Sequence, residues 1–99
     1  MTVSQLAPTQ VAADTASTVV DVREPDEVAT GAIAGSIAIP LGELVARAGE
    51  LDPSVPVITV CQSGRRSQQA AEALAAAGYD VSNMAGGMNA WCDAGLPTA

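Results

Sequence analysis

A continuous run of apolar residues, VPVITVC at residues 55–61, constrains the fold of this chain more than any other feature. Most of its side chains are β-branched and none is charged. Central strands of parallel sheets have this pattern because helices cover both of their faces, whereas a strand with one solvated face alternates apolar and polar residues. The run therefore predicts the central strand of a small parallel sheet.

Several other segments have the composition of strands and helices. The further strands are STVVDV at 17–22, GSIAIP at 35–40, YDVSNM at 79–84 and a short edge strand near Val3. Apolar residues recur at helical spacing over 41–51 and 67–77, and Gly78 is placed to end the second of these helices. Shorter helices are expected over 25–28, opened by a proline, and over 86–95.

Strands that alternate with helices predict an α/β fold, with a small parallel sheet of about five strands flanked by helices. A length of 99 residues is enough for one hydrophobic core but not for two. Residues 1–99 are therefore predicted to form a single domain.

Composition restricts the kinds of site and partner. The formal net charge is −7, and the chain has four arginines but no lysine or histidine. Such a chain repels nucleic acids and anionic membranes. Two cysteines without histidine do not make a zinc site, and a Cys–His catalytic pair is excluded. The first ten residues lack the basic and apolar regions of a secretion signal, so a cytoplasmic protein with reduced thiols is expected.

The segment CQSGRRS at 61–67 is the strongest candidate for a functional site, because it places two of the four arginines within five residues of Cys61. This cysteine ends the predicted central strand, at the edge where parallel α/β sheets bind ligands. A loop ahead of a helix directs backbone N–H groups at one point, and these donors stabilise a thiolate without a histidine base. We therefore expect Cys61 to be a nucleophile. The residues expected to bind a small anion beside it are Gln62, Ser63, Gly64, Arg65 and Arg66.

An alternative interpretation of this segment stays open. Cys61 also fits an inert, buried cysteine at a strand end, since free cysteines are commonly of this kind. Arg65 and Arg66 would then be exposed side chains on an ordinary first helical turn.

Two charged residues, Asp21 and Arg23, end the second strand at the same edge of the sheet. Asp21 is a candidate for orienting a loop arginine, and Arg23 for adding positive charge. A salt-bridged strand end with an Asx-type turn explains the two residues better. Asp26 and Glu27, which follow, are expected on a solvated helix face.

Residues near the C-terminus are expected to support the loop rather than to act in it. Gly86 and Gly87 give backbone room beside the loop and cap the last helix. Trp91 is expected to fill the core, because it is the one large aromatic side chain besides Tyr79. Cys92 is expected to pack there rather than to act as a resolving thiol.

Five segments, in this order and spacing, resemble single-domain rhodaneses: DVREPDE (21–27), GAIAGSIAIPL (31–41), VCQSGRRS (60–67), AAEALAAAGYDVSNMAGGMNAW (70–91) and AGLP (94–97). The resemblance implies a rhodanese-like fold and sulfurtransferase activity. It implies that Cys61 takes a sulfane sulfur from a small anionic donor, such as thiosulfate or a persulfide, as a persulfide of its own. A thiol, a protein or, in the assay, cyanide then accepts that sulfur. No cofactor or metal is implied, and a monomer is the default expectation.

The chain departs from the family pattern at Gly31 to Ser36, where GAIAGS replaces the usual GHIPGA; this affects local packing and not the nucleophile. Two other functions stay open. Cysteine phosphatases of related fold have a loop one residue longer before their arginine, and the shorter loop ending at Arg66 suits a sulfur atom better than a phosphate. A persulfide-delivery or binding module, serving a partner enzyme without turnover of its own, is the second alternative.

Overall fold

A computed structural model describes residues 3–99 and confirms the parallel α/β architecture. Within this range the strands are β1 (Ser4–Leu6), β2 (Thr18–Asp21), β3 (Ile37–Ala38), β4 (Val57–Val60) and β5 (Val81–Met84). They form one sheet in the order β1-β5-β4-β2-β3, and every neighbouring pair is parallel. β4 lies at the centre, as the apolar run predicted, and the expected edge strand is β1.

Helices connect these strands along the described part of the chain. They are α1 (Pro8–Ala13), α2 (Pro25–Val28), α3 (Leu44–Arg47), α4 (Arg65–Ala76) and α5 (Gly87–Asp93). The predicted helix over 67–77 begins two residues earlier, at Arg65, and Gly78 follows its end with a left-handed φ of 96°. None of the helices within residues 3–99 is long and apolar enough to cross a membrane.

The segment 41–51 differs from the amphipathic helix that its spacing predicts. α3 is a single α-helical turn between two 3₁₀ turns, Leu41–Glu43 and Ala48–Glu50. Leu44 and Leu51 are buried, but Val45, expected on the apolar face, is 83% exposed. Each 3₁₀ turn contains a glycine, whose low helix propensity keeps the α-helical turn from extending.

The two faces of the sheet have separate hydrophobic cores, because successive side chains of a strand point to opposite faces. Val57 packs on one face, among alanines and Leu74 of α4. Val60 packs on the other face, with Met88 and Trp91 of α5. The indole of Trp91 is 4% exposed, which confirms its predicted place in the core. Helices on both sides hold β4 rigidly and fix where its carboxyl end opens into the loop.

Candidate active site

The loop after β4 wraps around the sulfur of Cys61. This residue follows β4 directly and is fully buried. The backbone N–H of Gly64 donates a hydrogen bond to its Sγ at 3.0 Å, and the hydroxyl of Ser67 donates another at 3.3 Å. Gly64 has a φ of 98°, and a Cβ there would lie 3.0 Å from the backbone nitrogen of Gly86, so only glycine fits this position well. Two donors, the Gly64 amide and the Ser67 hydroxyl, therefore point at the sulfur.

These contacts change the acidity of the thiol. Burial raises the pKa of Cys61, but hydrogen bonds from the Ser67 hydroxyl and from the amides of Ser67, Gly64 and Ser63 outweigh it, so the pKa lies below that of an ordinary cysteine. The thiolate is the nucleophilic form of cysteine. The loop thus increases the fraction of reactive sulfur at neutral pH without a base.

We expect Ser67→Ala to raise the pKa of Cys61, because it removes a donor that stabilises the thiolate and leaves the thiol buried. At a fixed neutral pH the thiolate fraction then falls, and the titration curve moves to higher pH. Ultraviolet absorbance of the thiolate as a function of pH, in a Cys92→Ser background, measures this directly. Ser63→Ala is the matched control, since the contact of that residue is made by its backbone amide. Equal titration curves for the two variants would contradict the role of the Ser67 hydroxyl.

Arg23 is buried just after the end of β2, and its guanidinium makes hydrogen bonds that reach the loop after β4. Its guanidinium donates to both carboxylate oxygens of Asp21, the shortest contact being 2.8 Å, and to the carbonyl of Gly31 at 2.8 Å. A further bond of 3.2 Å reaches the side-chain oxygen of Gln62 in the loop. The backbone N–H of Arg23 also donates to Asp21 Oδ1 at 3.1 Å, which is the Asx-type turn. Asp21 therefore pairs with Arg23 and not with a loop arginine. This is the salt-bridged strand end that the sequence favoured.

The two loop arginines have different surroundings. Arg66 makes a bidentate ion pair with Glu27 of α2, with N–O distances of 2.7 and 2.8 Å. Glu27 is half-buried by this contact, so its expected place on a solvated face is wrong. Arg65 is exposed and forms no ion pair within residues 3–99. It borders a surface depression of about 500 Å³ together with Ser63 and Gly64 of the loop.

The start of α5 packs directly against the backbone of the loop. The N–H groups of Met88 and Asn89 donate to the carbonyl oxygens of Cys61 and Gln62, at 2.8 and 3.0 Å. Gly87 lies so close to this peptide that a Cβ would be 2.7 Å from the carbonyl carbon of Gln62. The prediction that glycine gives backbone room beside the loop is confirmed.

We expect Gly87→Ala to destabilise the fold by about 2–3 kcal/mol, because the new Cβ overlaps loop backbone and the residue has a φ of 58°. The displaced loop would also lose alignment of its donors with Cys61. Gly95→Ala is the matched control: its φ is 74°, but a Cβ there meets no atom within 4 Å, so we expect a cost of about 1 kcal/mol from backbone strain alone. Urea unfolding of both variants measures the difference, and equal costs would contradict the close contact.

Two further observations complete the description of the site. Cys92 is a free thiol exposed on α5, so the expectation that it packs in the core is wrong. Among residues 3–99, no three histidine, cysteine, aspartate or glutamate side chains are grouped so as to hold a metal ion.

Comparison with known proteins decides the family. The family model described as "Rhodanese-like domain" matches residues 6–94. This chain belongs to the rhodanese-like family. A crystal structure of a rhodanese-related protein from Thermoplasma volcanium superposes with a TM-score of 0.93 at 33% identity, covering 97% of each chain.

Several curated relatives of this rhodanese-like chain carry enzyme names. A sulfurtransferase of Allochromatium vinosum is 39% identical over 79 residues, which are 79% of this chain and 74% of the relative. A thiosulfate sulfurtransferase of Pseudomonas aeruginosa is 33% identical over 93 residues, which are 91% of this chain and 84% of the relative. The chain spans only 45% of the length of a third relative, from Bacillus subtilis.

Proposed function

We propose that this chain is a sulfurtransferase in which Cys61 carries the sulfur as a persulfide. One observation carries the proposal: Cys61 Sγ accepts hydrogen bonds from the Gly64 amide and the Ser67 hydroxyl, which lower the pKa of a buried thiol. Relatives named sulfurtransferase support the class of reaction. The chain contains no histidine, so a nucleophile activated by loop donors alone is consistent with its composition.

The proposed reaction has two half-reactions. The Cys61 thiolate attacks the outer sulfur of a donor such as thiosulfate, the sulfur–sulfur bond of the donor breaks, and sulfite leaves with the electron pair. The resulting Cys61 persulfide then gives its outer sulfur to a nucleophilic acceptor, and the Cys61 thiolate leaves as the group displaced. With cyanide the product is thiocyanate, and with a thiol it is a new persulfide.

The remaining loop residues bind and align the donor in this proposal. The amides of Ser63 and Gly64 stabilise negative charge on the persulfide, and the exposed guanidinium of Arg65 donates hydrogen bonds to the bound donor. Gln62 is a positioning residue: Arg23 holds its side-chain oxygen at 3.2 Å, and its side-chain nitrogen donates to Asn89 at 2.7 Å. Asp21 supports the same alignment indirectly, through its ion pair with Arg23.

The proposal requires a reducing compartment such as the cytoplasm, where Cys61 and Cys92 stay reduced. The acceptor in the cell would be a thiol or a thiol-bearing protein. A cysteine phosphatase is disfavoured because Arg66, the arginine at the end of the loop, is already bound by Glu27. A phosphate in the loop would have to compete with that carboxylate.

Separating the two half-reactions tests the proposal. The protein is incubated with thiosulfate, freed of it by desalting, and then mixed with cyanide. We expect one thiocyanate for each Cys61 and, in the first step, an equal amount of sulfite. Transfer to a thiol-bearing protein without turnover on cyanide would favour the delivery module. Release of phosphate from an aryl phosphate, without any sulfite from thiosulfate, would favour the phosphatase and contradict the proposal.

A further inference from the structure

Carboxylates offset the arginine charges at the carboxyl end of the sheet. Arg66 interacts electrostatically with the Cys61 sulfur and with Glu24 as well as with Glu27. The segments at or just after the ends of β2 and β4 carry three arginines and four carboxylates: Arg23, Arg65 and Arg66, with Asp21, Glu24, Asp26 and Glu27. An anionic donor approaching the Cys61 thiolate therefore meets no excess of positive side-chain charge.

Two ion pairs offset two of these arginines directly. Arg23 is buried against Asp21 with an N–O distance of 2.8 Å. Arg66 is bound by both oxygens of Glu27, and this contact holds the pKa of Glu27 at about 2. Glu27 is consequently ionised at every physiological pH, and its charge always offsets that of Arg66. Arg65 is the arginine of this edge that forms no ion pair with a carboxylate within residues 3–99.

Charge on the donor then decides how strongly it is attracted or repelled. The electrostatic free energy of a donor in a given potential is proportional to its charge. Thiosulfate carries two negative charges, whereas an organic persulfide or thiosulfonate carries one. A site with an ionised thiolate and no excess of positive side-chain charge suits a single negative charge on the donor better than two.

We propose that Glu27 is a specificity-determining residue: by neutralising Arg66, it makes the loop favour monoanionic sulfane-sulfur donors, such as organic persulfides and thiosulfonates, over dianionic thiosulfate. The inference rests on the proposed function and names the class of donor for the same site. Glu27 does not touch the reacting sulfur in this proposal; it acts through the guanidinium of Arg66.

Thiosulfate and methanethiosulfonate are a matched pair of probes. In both, the Cys61 thiolate attacks the terminal sulfur and the sulfur–sulfur bond breaks; sulfite dianion leaves from the first and methanesulfinate from the second. Each reaction leaves the same persulfide on Cys61 and conserves charge. The two donors differ mainly in one negative charge, which a methyl group replaces.

We expect Glu27→Gln to raise the second-order rate constant for persulfide formation with both donors, but unequally. Removing one negative charge near the loop should raise the rate constant about threefold for methanethiosulfonate and about tenfold for thiosulfate. The change in the electrostatic free energy of the donor at the loop is twice as large for the dianion as for the monoanion. Glutamine keeps the length of the side chain and one hydrogen bond to Arg66. Asp26→Asn is the matched control: it removes the same charge from α2 at an exposed position without an ion pair to the loop, and both rate constants should change less than twofold.

Equal acceleration of the two donors, or a slower reaction with thiosulfate, in Glu27→Gln would overturn the inference. A measurement on the native protein gives an independent test if the variant fails to fold. The thiosulfate rate constant should rise with ionic strength, about twice as steeply on a logarithmic scale as that of methanethiosulfonate. A thiosulfate rate that falls as salt is added would mean that the loop attracts the dianion, and the inference would be wrong. Absence of any persulfide with either donor, while Cys61 is reduced, would instead reject the proposed function itself.

Discussion

Cys61→Ser is expected to abolish sulfur transfer, lowering the rate by roughly a thousandfold or more. A serine hydroxyl is not ionised at neutral pH and forms no persulfide, whereas the contacts of Gly64 and Ser67 with this position would remain. The substitution is nearly isosteric, so we expect the fold to be unchanged. Production of thiocyanate from thiosulfate and cyanide measures the loss.

Cys92→Ser is the matched control for that prediction. Cys92 is the second free thiol of the chain and lies exposed on α5, outside the loop. We expect the rate of sulfur transfer in Cys92→Ser to stay within about twofold of that of the native protein, since an exposed serine replaces an exposed cysteine with little effect. Comparable loss in both variants would indicate a relay between the two thiols, and unchanged activity in Cys61→Ser would exclude Cys61 as the sulfur carrier.

Arg23→Leu is expected to reduce the free energy of unfolding by about 3–5 kcal/mol, because it leaves the carboxylate of Asp21 buried without its partner. Both side chains are 2% exposed, so water does not replace the lost contacts. The variant also loses the hydrogen bonds to Gly31 and Gln62, so Arg23 no longer fixes the position of the loop. Urea unfolding followed by circular dichroism gives the free energy.

Arg47→Leu provides the comparison for this effect. Arg47 also pairs with carboxylates, Glu43 and Glu50, but at the protein surface, where water solvates the charges that remain. Its replacement should cost much less than that of Arg23. A second substitution, Asp21→Ala in the Arg23→Leu background, should recover part of the stability by removing the uncompensated charge. Equal costs for the two arginines would show that the buried ion pair is not what stabilises this edge.

The features predicted correctly from the sequence are those with a local physical cause. The β-branched run before Cys61 predicts β4 because few other structures bury both faces of a short segment. Gly78 predicts the end of α4 because a left-handed residue is needed there. The loop around Cys61 follows from the adjacency of a central strand and a helix, so the nucleophile could be proposed from a single short segment.

The features that the sequence did not predict depend on contacts between distant segments. Glu27 and Arg66 are separated by 39 positions, and only the packing of α2 beside the start of α4 brings them together. Ser67 gave a weaker signal: it lies in the first turn of α4, and its hydroxyl faces back towards Cys61 only because the helix begins at Arg65. Val45 fell outside the core because the short helix α3 does not keep one face towards the sheet.

The most direct test of sulfur transfer through Cys61 is the intact mass of the native protein after brief exposure to a sulfane-sulfur donor, with thiosulfate and methanethiosulfonate tried in parallel. We predict a gain of one sulfur atom, absent from Cys61→Ser and lost again when cyanide is added. An unchanged mass with both donors, in protein whose Cys61 is shown to be reduced, would contradict the proposed function.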